Sequence, residues 1–319
     1  MEKKKIKIGF CGFWSSFNPE NNEFTNILKN KYDVVISDNP DYLFVSPLGN
    51  PYEHMKYDCI KIAFQGEELT PDFSMFDYAI GFDYLSFGDR YIRYPLCFFG
   101  KKPWHAPSLS KEEARGILKK KDIFCNLIYN EDSIGNVRSE LFALLNKYKR
   151  TDSYGRFINS VGGQGVSYKQ KRELLRRSKF TVAVEGCSYP GVATEKITQP
   201  FEEHSVPIFY GNNRIENDFS PKSFINCHAF SSLEEAVEEV IRLDNDDEAY
   251  IEMLTSSPLI YESYTDELFE QFVNFLYNIF DQDYDDAKRR VESVISENYS
   301  ALYRSLRRFV KLMPARRKQ

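Results

Sequence analysis

The sequence predicts an α/β fold built from two parallel, doubly wound halves. Short apolar runs rich in β-branched and aromatic residues alternate with segments of helical period, and this alternation restarts near residue 122 after a polar stretch. Length agrees, since 319 residues with 42% hydrophobic content exceed a typical single domain and can fill two cores.

In the first half, Lys5-Ile-Lys-Ile-Gly-Phe, Tyr32-Asp-Val-Val-Ile, Tyr42-Leu-Phe-Val, Cys59-Ile-Lys-Ile-Ala-Phe and Tyr78-Ala-Ile-Gly-Phe read as strands. Asn22 to Lys29 suits a helix. Such continuous apolar strands belong in a sheet covered on both faces. Ser110 to Lys121 is polar and helical, Asp122 to Tyr129 reopens the strand pattern, and Gly135 to Tyr148 is a helix. Phe180-Thr-Val-Ala-Val and Val206-Pro-Ile-Phe-Tyr are further buried strands on either side of helix signals at Thr194 to His204. Leu233 to Leu243 is amphipathic, and from Asp266 onward Leu268, Phe272, Phe275, Leu276 and Ile279 share a helical face. The expected division is therefore 1–120, 121–280 and a helical basic tail at 281–319, with no repeat or low-complexity linker to mark the join.

Composition narrows the function classes less than it narrows the fold. The six cysteines are scattered, with no C-x-x-C pair, and read as buried reduced thiols rather than disulfides or a zinc site. Histidines 54, 105, 204 and 228 form no pairing with Cys or Ser that suggests a nucleophilic triad. The 21 Tyr and 26 Phe suit a carbohydrate-handling surface, although most of these rings belong in the core, and Trp104 is either a sugar-stacking platform or a packed loop aromatic. Neither a secretory signal nor a membrane-spanning window is expected, so the protein should stay in the cytoplasm.

Ligands of open α/β sheets bind beyond the carboxyl ends of the strands. The loop after Phe180 to Val184 starts at Glu185 and runs through Gly186-Cys-Ser-Tyr-Pro-Gly to Thr194-Glu195-Lys196, a position suited to a nucleotide sugar. Lys196 offers an ammonium for a diphosphate, and Glu195 can accept hydrogen bonds from hydroxyls or face positive charge on an anomeric carbon. Thr194, Glu195 and Lys196 could equally do no more than cap and solvate a helix start. Asp244-Asn-Asp-Asp reads as a solvated helix end, so no metal motif is expected. Glu67 and Glu68 follow a strand and precede Pro71, and on chemistry alone either could simply be solvated in a loop, with a catalytic role for Glu67 the lesser alternative.

The segment V-E-G-C-S-Y-P-G-V-A-T-E-K-I, then S-V-P-I-F-Y-G and F-S-P-K-S-F-I-N, closely resembles the donor-binding signature of the α1,3-fucosyltransferases, glycosyltransferase family 10. Phe64-Gln-Gly-Glu67, Phe76-Asp-Tyr-Ala-Ile-Gly-Phe-Asp, Asp89-Arg-Tyr-Ile-Arg-Tyr-Pro, Asn136-Val-Arg138 and Asp152-Ser-Tyr-Gly-Arg156 are similar to the bacterial members, so the resemblance covers most of residues 59 to 230. It implies a GT-B-like architecture of two Rossmann-type domains facing across a cleft. It also implies inverting transfer of L-fucose from GDP-fucose to the GlcNAc of N-acetyllactosamine-type glycans, a Lewis X-type product, with no cofactor or metal required.

By the same resemblance Glu67 is the general base, Arg138 and Lys196 meet the donor diphosphate, Glu195 meets the donor sugar region, and Glu185 and Thr194 belong to the donor loop. The sequence departs from the family pattern at Val184, Gly186 and Val192, and the last two remove polar contacts expected near the donor. Use of another nucleotide sugar, or a weakened nucleotide-sugar-binding protein, are the competing readings.

Net charge is −5, yet residues 300–319 carry seven basic and no acidic residues, which leaves −12 on the remainder. On a helix, Leu302, Leu306, Phe309, Val310 and Met313 share one face, with Arg304, Arg307, Arg308 and Lys311 largely on the other. A C-terminal basic amphipathic helix of this kind is drawn to an anionic membrane surface, and peripheral attachment to the inner face of the cytoplasmic membrane is expected, with docking of the tail onto the acidic body as the alternative. Nucleic-acid binding is not expected, because the acidic body opposes it.

Overall fold

The computed structural model describes residues 2–49, 53–100, 103–162, 165–291, 298, 299, 301, 302 and 305. Two compact units result, one formed by residues 1–94 with 269–319 and the other by residues 95–268. The sequence pattern suggests boundaries at 120 and 280; the compact units divide at 94 and 268, and the chain from Phe269 groups with the first unit. The basic amphipathic helix lies outside the described residues, apart from Ala301, Leu302 and Ser305.

The first unit holds β1 (Lys5–Cys11), α1 (Glu23–Lys31), β2 (Asp33–Ile36), β3 (Tyr42–Val45), β4 (Ile60–Phe64), β5 (Tyr78–Gly81) and β6 (Tyr91–Arg93). The strands form an all-parallel sheet in the order β2-β1-β3-β4-β5-β6. Helix α1 starts after Asn22 because the Asn22 side chain accepts the Thr25 N–H at 3.0 Å, which satisfies one of the free donors of the first turn. Its core is built from aromatic rings: Phe24 stacks on Phe44 with centroids 4.6 Å apart, Phe44 on Phe10 at 5.3 Å, and Phe13 on Phe17 at 4.1 Å. Trp14 packs edge-on against Phe17 at the margin of this cluster and stays 41% exposed.

The second unit holds α2 (Lys111–Leu118), β7 (Ile123–Ile128), α3 (Val137–Tyr148), β8 (Thr151–Tyr154), α4 (Tyr168–Arg177), β9 (Ser178–Val184), α5 (Glu195–Glu202), β10 (Val206–Tyr210), β11 (Ile225–Asn226), α6 (Leu233–Asp244) and α7 (Asp247–Thr255). Its sheet is also all parallel, ordered β11-β10-β9-β7-β8. Capping boxes start α2 at Ser110 with Glu113 and α4 at Ser167 with Gln170. Leu127, Leu141, Leu145, Phe180, Val182, Ile208 and Val240 fill the core between sheet and helices. Trp104 is buried against Phe98, Phe201 and Phe219 with its Nε1–H on Glu202 Oε1 at 2.9 Å, so it is a packed loop aromatic. Asp244 differs from the solvated acid expected at that helix end. Its carboxylate is 4% exposed and paired with Lys179 at 2.9 Å and Lys149 at 3.1 Å.

Helix α8 (Tyr264–Asp281) follows, and from Phe269 it belongs to the first unit. There Phe272 stacks on Tyr94 at 4.3 Å, Phe280 meets Tyr42 at 4.4 Å, and Asp281 receives Lys31 at 2.6 Å and the Tyr32 hydroxyl at 2.7 Å. Beyond the helix, fully buried Asp77 accepts the backbone N–H groups of Arg289 and Arg290 at 2.9 Å each, Arg290 Nε at 2.9 Å and the Lys61 N–H at 2.8 Å. One carboxylate thereby ties the returning chain to β4. Asp77→Ala strands the Arg290 guanidinium without its acid and is expected to cost about 3–5 kcal/mol in urea unfolding; a loss under about 1 kcal/mol would show that this tie is not what holds the segment.

Candidate functional site

Strand β9 ends at Val184, and the next residue, Glu185, is drawn inward by the bond from its N–H to the Tyr210 carbonyl at 2.9 Å. Its carboxylate is 1% exposed. Burial of a charged carboxylate is costly unless partners meet it, and Glu185 has them: the Thr194 N–H at 2.9 Å, the Thr194 hydroxyl at 2.8 and 2.9 Å from its two oxygens, and Lys196 Nζ at 3.0 Å. Thr194 is at the same time the N-cap of α5. Gly211, just after β10, is required by this arrangement, since a Cβ there would lie 2.7 Å from Glu185 Cγ.

The second wall comes from α3. Arg138 is buried and donates to the Val184 carbonyl at 2.8 Å and the Glu131 carbonyl at 2.9 Å, with its guanidinium 3.9 Å from the Tyr129 ring centroid and its Nε without a hydrogen-bond partner. The Tyr129 hydroxyl donates to the Val182 carbonyl at 2.9 Å and accepts the Val184 N–H at 2.8 Å, so it extends the β7–β9 ladder past its last backbone pair. Asn136, the N-cap of α3, is left-handed at φ 58° and makes no side-chain cap bond, so the first turn of α3 lacks a capping side chain. Ile134 N–H bonds to the Gly186 carbonyl at 2.9 Å and joins this turn to the Glu185 loop.

Charge in the site is interlocked. Burial pulls the Lys196 ammonium towards neutrality, but Glu185 and Glu195 outweigh it and hold its pKa above the ordinary value. Burial would likewise raise Glu195, yet Lys196 and Lys171 keep its carboxyl below the usual range. Lys171, in the first turns of α4, is pushed down by burial, with Glu195 opposing. A cavity of about 80 Å³ lies among Lys171, Glu195, Lys196, Tyr129, Asn126 and Gln199. The buried amide oxygens of Asn126 and Gln199 have no hydrogen-bond partner, so polar groups face it on several sides.

Of the residues singled out in the sequence, Arg138, Glu185, Thr194, Glu195 and Lys196 are brought together in the second unit. Glu67 stands in the first, exposed in the turn beyond the carboxyl end of β4, where its carbonyl accepts the Leu69 N–H at 2.6 Å. Lys196 is less mobile than expected, because Glu185 and Thr194 already hold two of its N–H groups. Val184 and Val192 are both buried in the core. Three contributors escaped the sequence reading: Tyr129, Lys171 and Asn212, whose Oδ1 receives the N–H groups of Gly191 at 2.8 Å and Arg214 at 2.9 Å. Tyr129 had a signal, since it closes the strand pattern expected over Asp122 to Tyr129 and directly follows β7 on the side where ligands bind; Lys171 had none. Among the described residues no three His, Cys, Asp or Glu side chains are grouped to hold a metal ion.

Comparison with known proteins connects both units to one family. Residues 8–99 match the alpha-(1,3)-fucosyltransferase FucT N-terminal domain, and residues 117–256 match the C-terminal model of glycosyltransferase family 10 (fucosyltransferase). The alpha-(1,3)-fucosyltransferase FucT of Helicobacter pylori is 29% identical over 294 residues, covering 80% of this chain and 60% of that protein. This chain thus spans about three fifths of that relative's length. A crystal structure of an alpha1,3-fucosyltransferase matches with TM-score 0.75 and 26% identity over 88% of this chain and 91% of the other. Another, of an alpha1,3-fucosyltransferase with GDP-fucose, matches with TM-score 0.70 and 25% identity over 89% and 93%. The signature around Glu185, the pair of parallel sheets and matches in both halves agree: this chain belongs to glycosyltransferase family 10, the fucosyltransferases.

Proposed function

We propose that the chain is an inverting α1,3-fucosyltransferase that moves L-fucose from GDP-fucose to the GlcNAc of an N-acetyllactosamine-type glycan, giving a Lewis X-type product. The observation that carries this reading is the Glu185–Thr194–Lys196 cluster at the carboxyl end of β9, in a chain whose family relatives include an alpha1,3-fucosyltransferase crystallised with GDP-fucose.

In this reaction Glu67 takes the proton from the acceptor hydroxyl as its oxygen bonds to the anomeric carbon. The bond from that carbon to the diphosphate oxygen breaks on the opposite face, so the configuration inverts. The departing GDP carries negative charge, which Lys196 and Arg138 meet from fixed positions. Lys196 has three N–H donors and spends two on Glu185 and Thr194, which leaves the third for a diphosphate oxygen. Glu195, held ionised by Lys196 and Lys171, faces the positive charge that develops on the sugar.

Incubation with GDP-fucose and N-acetyllactosamine should add one fucosyl residue to the acceptor by mass spectrometry, and a product from a different donor in a nucleotide-sugar panel would replace this assignment. Glu67→Gln should keep GDP-fucose affinity in calorimetry while kcat falls about 10²–10⁴-fold; near-normal turnover sinks the base role. Lys196→Met removes a leaving-group contact and should lower kcat/KM by about 10²–10³-fold, with GDP affinity reduced as well; unchanged GDP affinity would place Lys196 outside the donor site.

We also propose peripheral attachment to the inner face of the cytoplasmic membrane through residues 300–319, supported by their uniform positive charge and amphipathic spacing. Co-sedimentation with anionic vesicles should drop for a chain ending at Asn298, and equal sedimentation of the two chains would remove this attachment.

A further inference from the structure

The first unit contains a second polar cavity, of about 230 Å³, that the proposed reaction does not use. Lys56, Tyr57, Asp58, Lys61, Ser74 and Arg290 line it, with Met55 and Met75 as its apolar surface. Lys61 is the second residue of β4, so the cavity lies at the amino end of that strand, whereas Glu67 follows the carboxyl end.

Most charges around it are paired. Lys56 meets Glu53 at 3.3 Å, Arg290 meets Asp77 at 2.9 Å, and Asp58 meets Lys288 at 3.8 Å. Lys61 differs: the residue is 5% exposed, lines the cavity, and its ammonium has neither a hydrogen bond nor an ion pair among the described residues. Burial, reinforced by the neighbouring Arg290 charge, lowers its pKa to about 8. A methionine of similar reach would fill the same space without that cost. Asp77 and Asp58 act on Lys61 in the opposite sense without pairing with its ammonium, and a cation buried beside another cation in a cavity that Tyr57 and Ser74 also line is the donor set of an oxyanion site.

We propose that this cavity is a phosphate-binding site, in which Lys61, with Arg290 and Lys56, holds the phosphate of a small phosphoester or of a phospholipid headgroup. Both sources present the same tetrahedral anion, and Arg290 is followed by the segment that leads into the basic C-terminal residues.

The test uses the full chain. Inorganic phosphate should raise the Tm of the wild-type protein by a few degrees relative to chloride at equal ionic strength. Lys61→Met should be at least as stable in chloride and should lose the phosphate response. Lys61→Gln, neutral but polar, serves as a second variant if the methionine form does not fold. The same phosphate-induced shift in wild type and variant, or no shift in wild type, overturns the site. Sedimentation with phosphatidylglycerol against phosphatidylcholine vesicles separates the sources. A phosphatidylglycerol preference that weakens in the Lys61 variants assigns the phosphate to a headgroup, and a lost phosphate response with unchanged sedimentation assigns it to a soluble phosphoester.

Discussion

A carboxylate with 1% exposure at the end of a parallel strand is the constraint around which the second unit is organised. Glu185 would be expensive to bury alone, and its partners supply nearly everything local to the site. Thr194 closes the loop back onto it and starts α5 in the same gesture, and Lys196 brings the cation. Tyr129 and Arg138 fix the strand end from the other side through the backbone of Val182 and Val184. Gly211 is small because Glu185 must pass it. The family signature is thus one physical unit: strand end, loop, helix cap and ion pair.

The same interlock sets the electrostatics of the proposed chemistry. Lys196 stays charged because two acids overcome its burial, and Glu195 stays ionised because two lysines overcome its own. A donor diphosphate would enter a field already oriented, and it would share Lys196 with Glu185 rather than recruit a free side chain. Such prior placement lowers the reorganisation required at the transition state. The polar cavity among Lys171, Glu195 and Lys196, with two unpartnered amide oxygens at its lining, gives this field room for water.

Much of the fold was legible because parallel strands buried on both faces are near-continuous apolar runs: β3, β5 and β10 are apolar throughout, β4, β7 and β9 are largely so, and β1 keeps Ile6 and Ile8 inside while Lys5 and Lys7 face out. Strand β8, Thr-Asp-Ser-Tyr, was not: it is an edge strand whose inward residues, Thr151 and Ser153, are small and polar. Helix α4 was obscured by its charge, with six of ten residues basic or acidic and only Leu174 and Leu175 buried. The return of the chain to the first unit after Phe269 depends on ring contacts with Tyr94 and Tyr42 and on Asp77, contacts roughly 200 residues distant in sequence that no local pattern encodes. In the site, Glu185, Thr194, Glu195 and Lys196 were read from spacing and resemblance, whereas the clamp on Lys196 and the role of Tyr129 arise only once strands lie side by side. Lys61 was hidden for the opposite reason, since a lysine in an apolar strand looks like an outward-facing residue.

The two tryptophans occupy contrasting surroundings, one in each unit. Trp104 is sealed among phenylalanines with its indole N–H on Glu202, and Trp14 is partly in water at the margin of an aromatic cluster. Their emission therefore divides into a short-wavelength component from the second unit and a long-wavelength component from the first. Intrinsic fluorescence, with no label added, separates the melting of residues 95–268 from events in the rest of the chain.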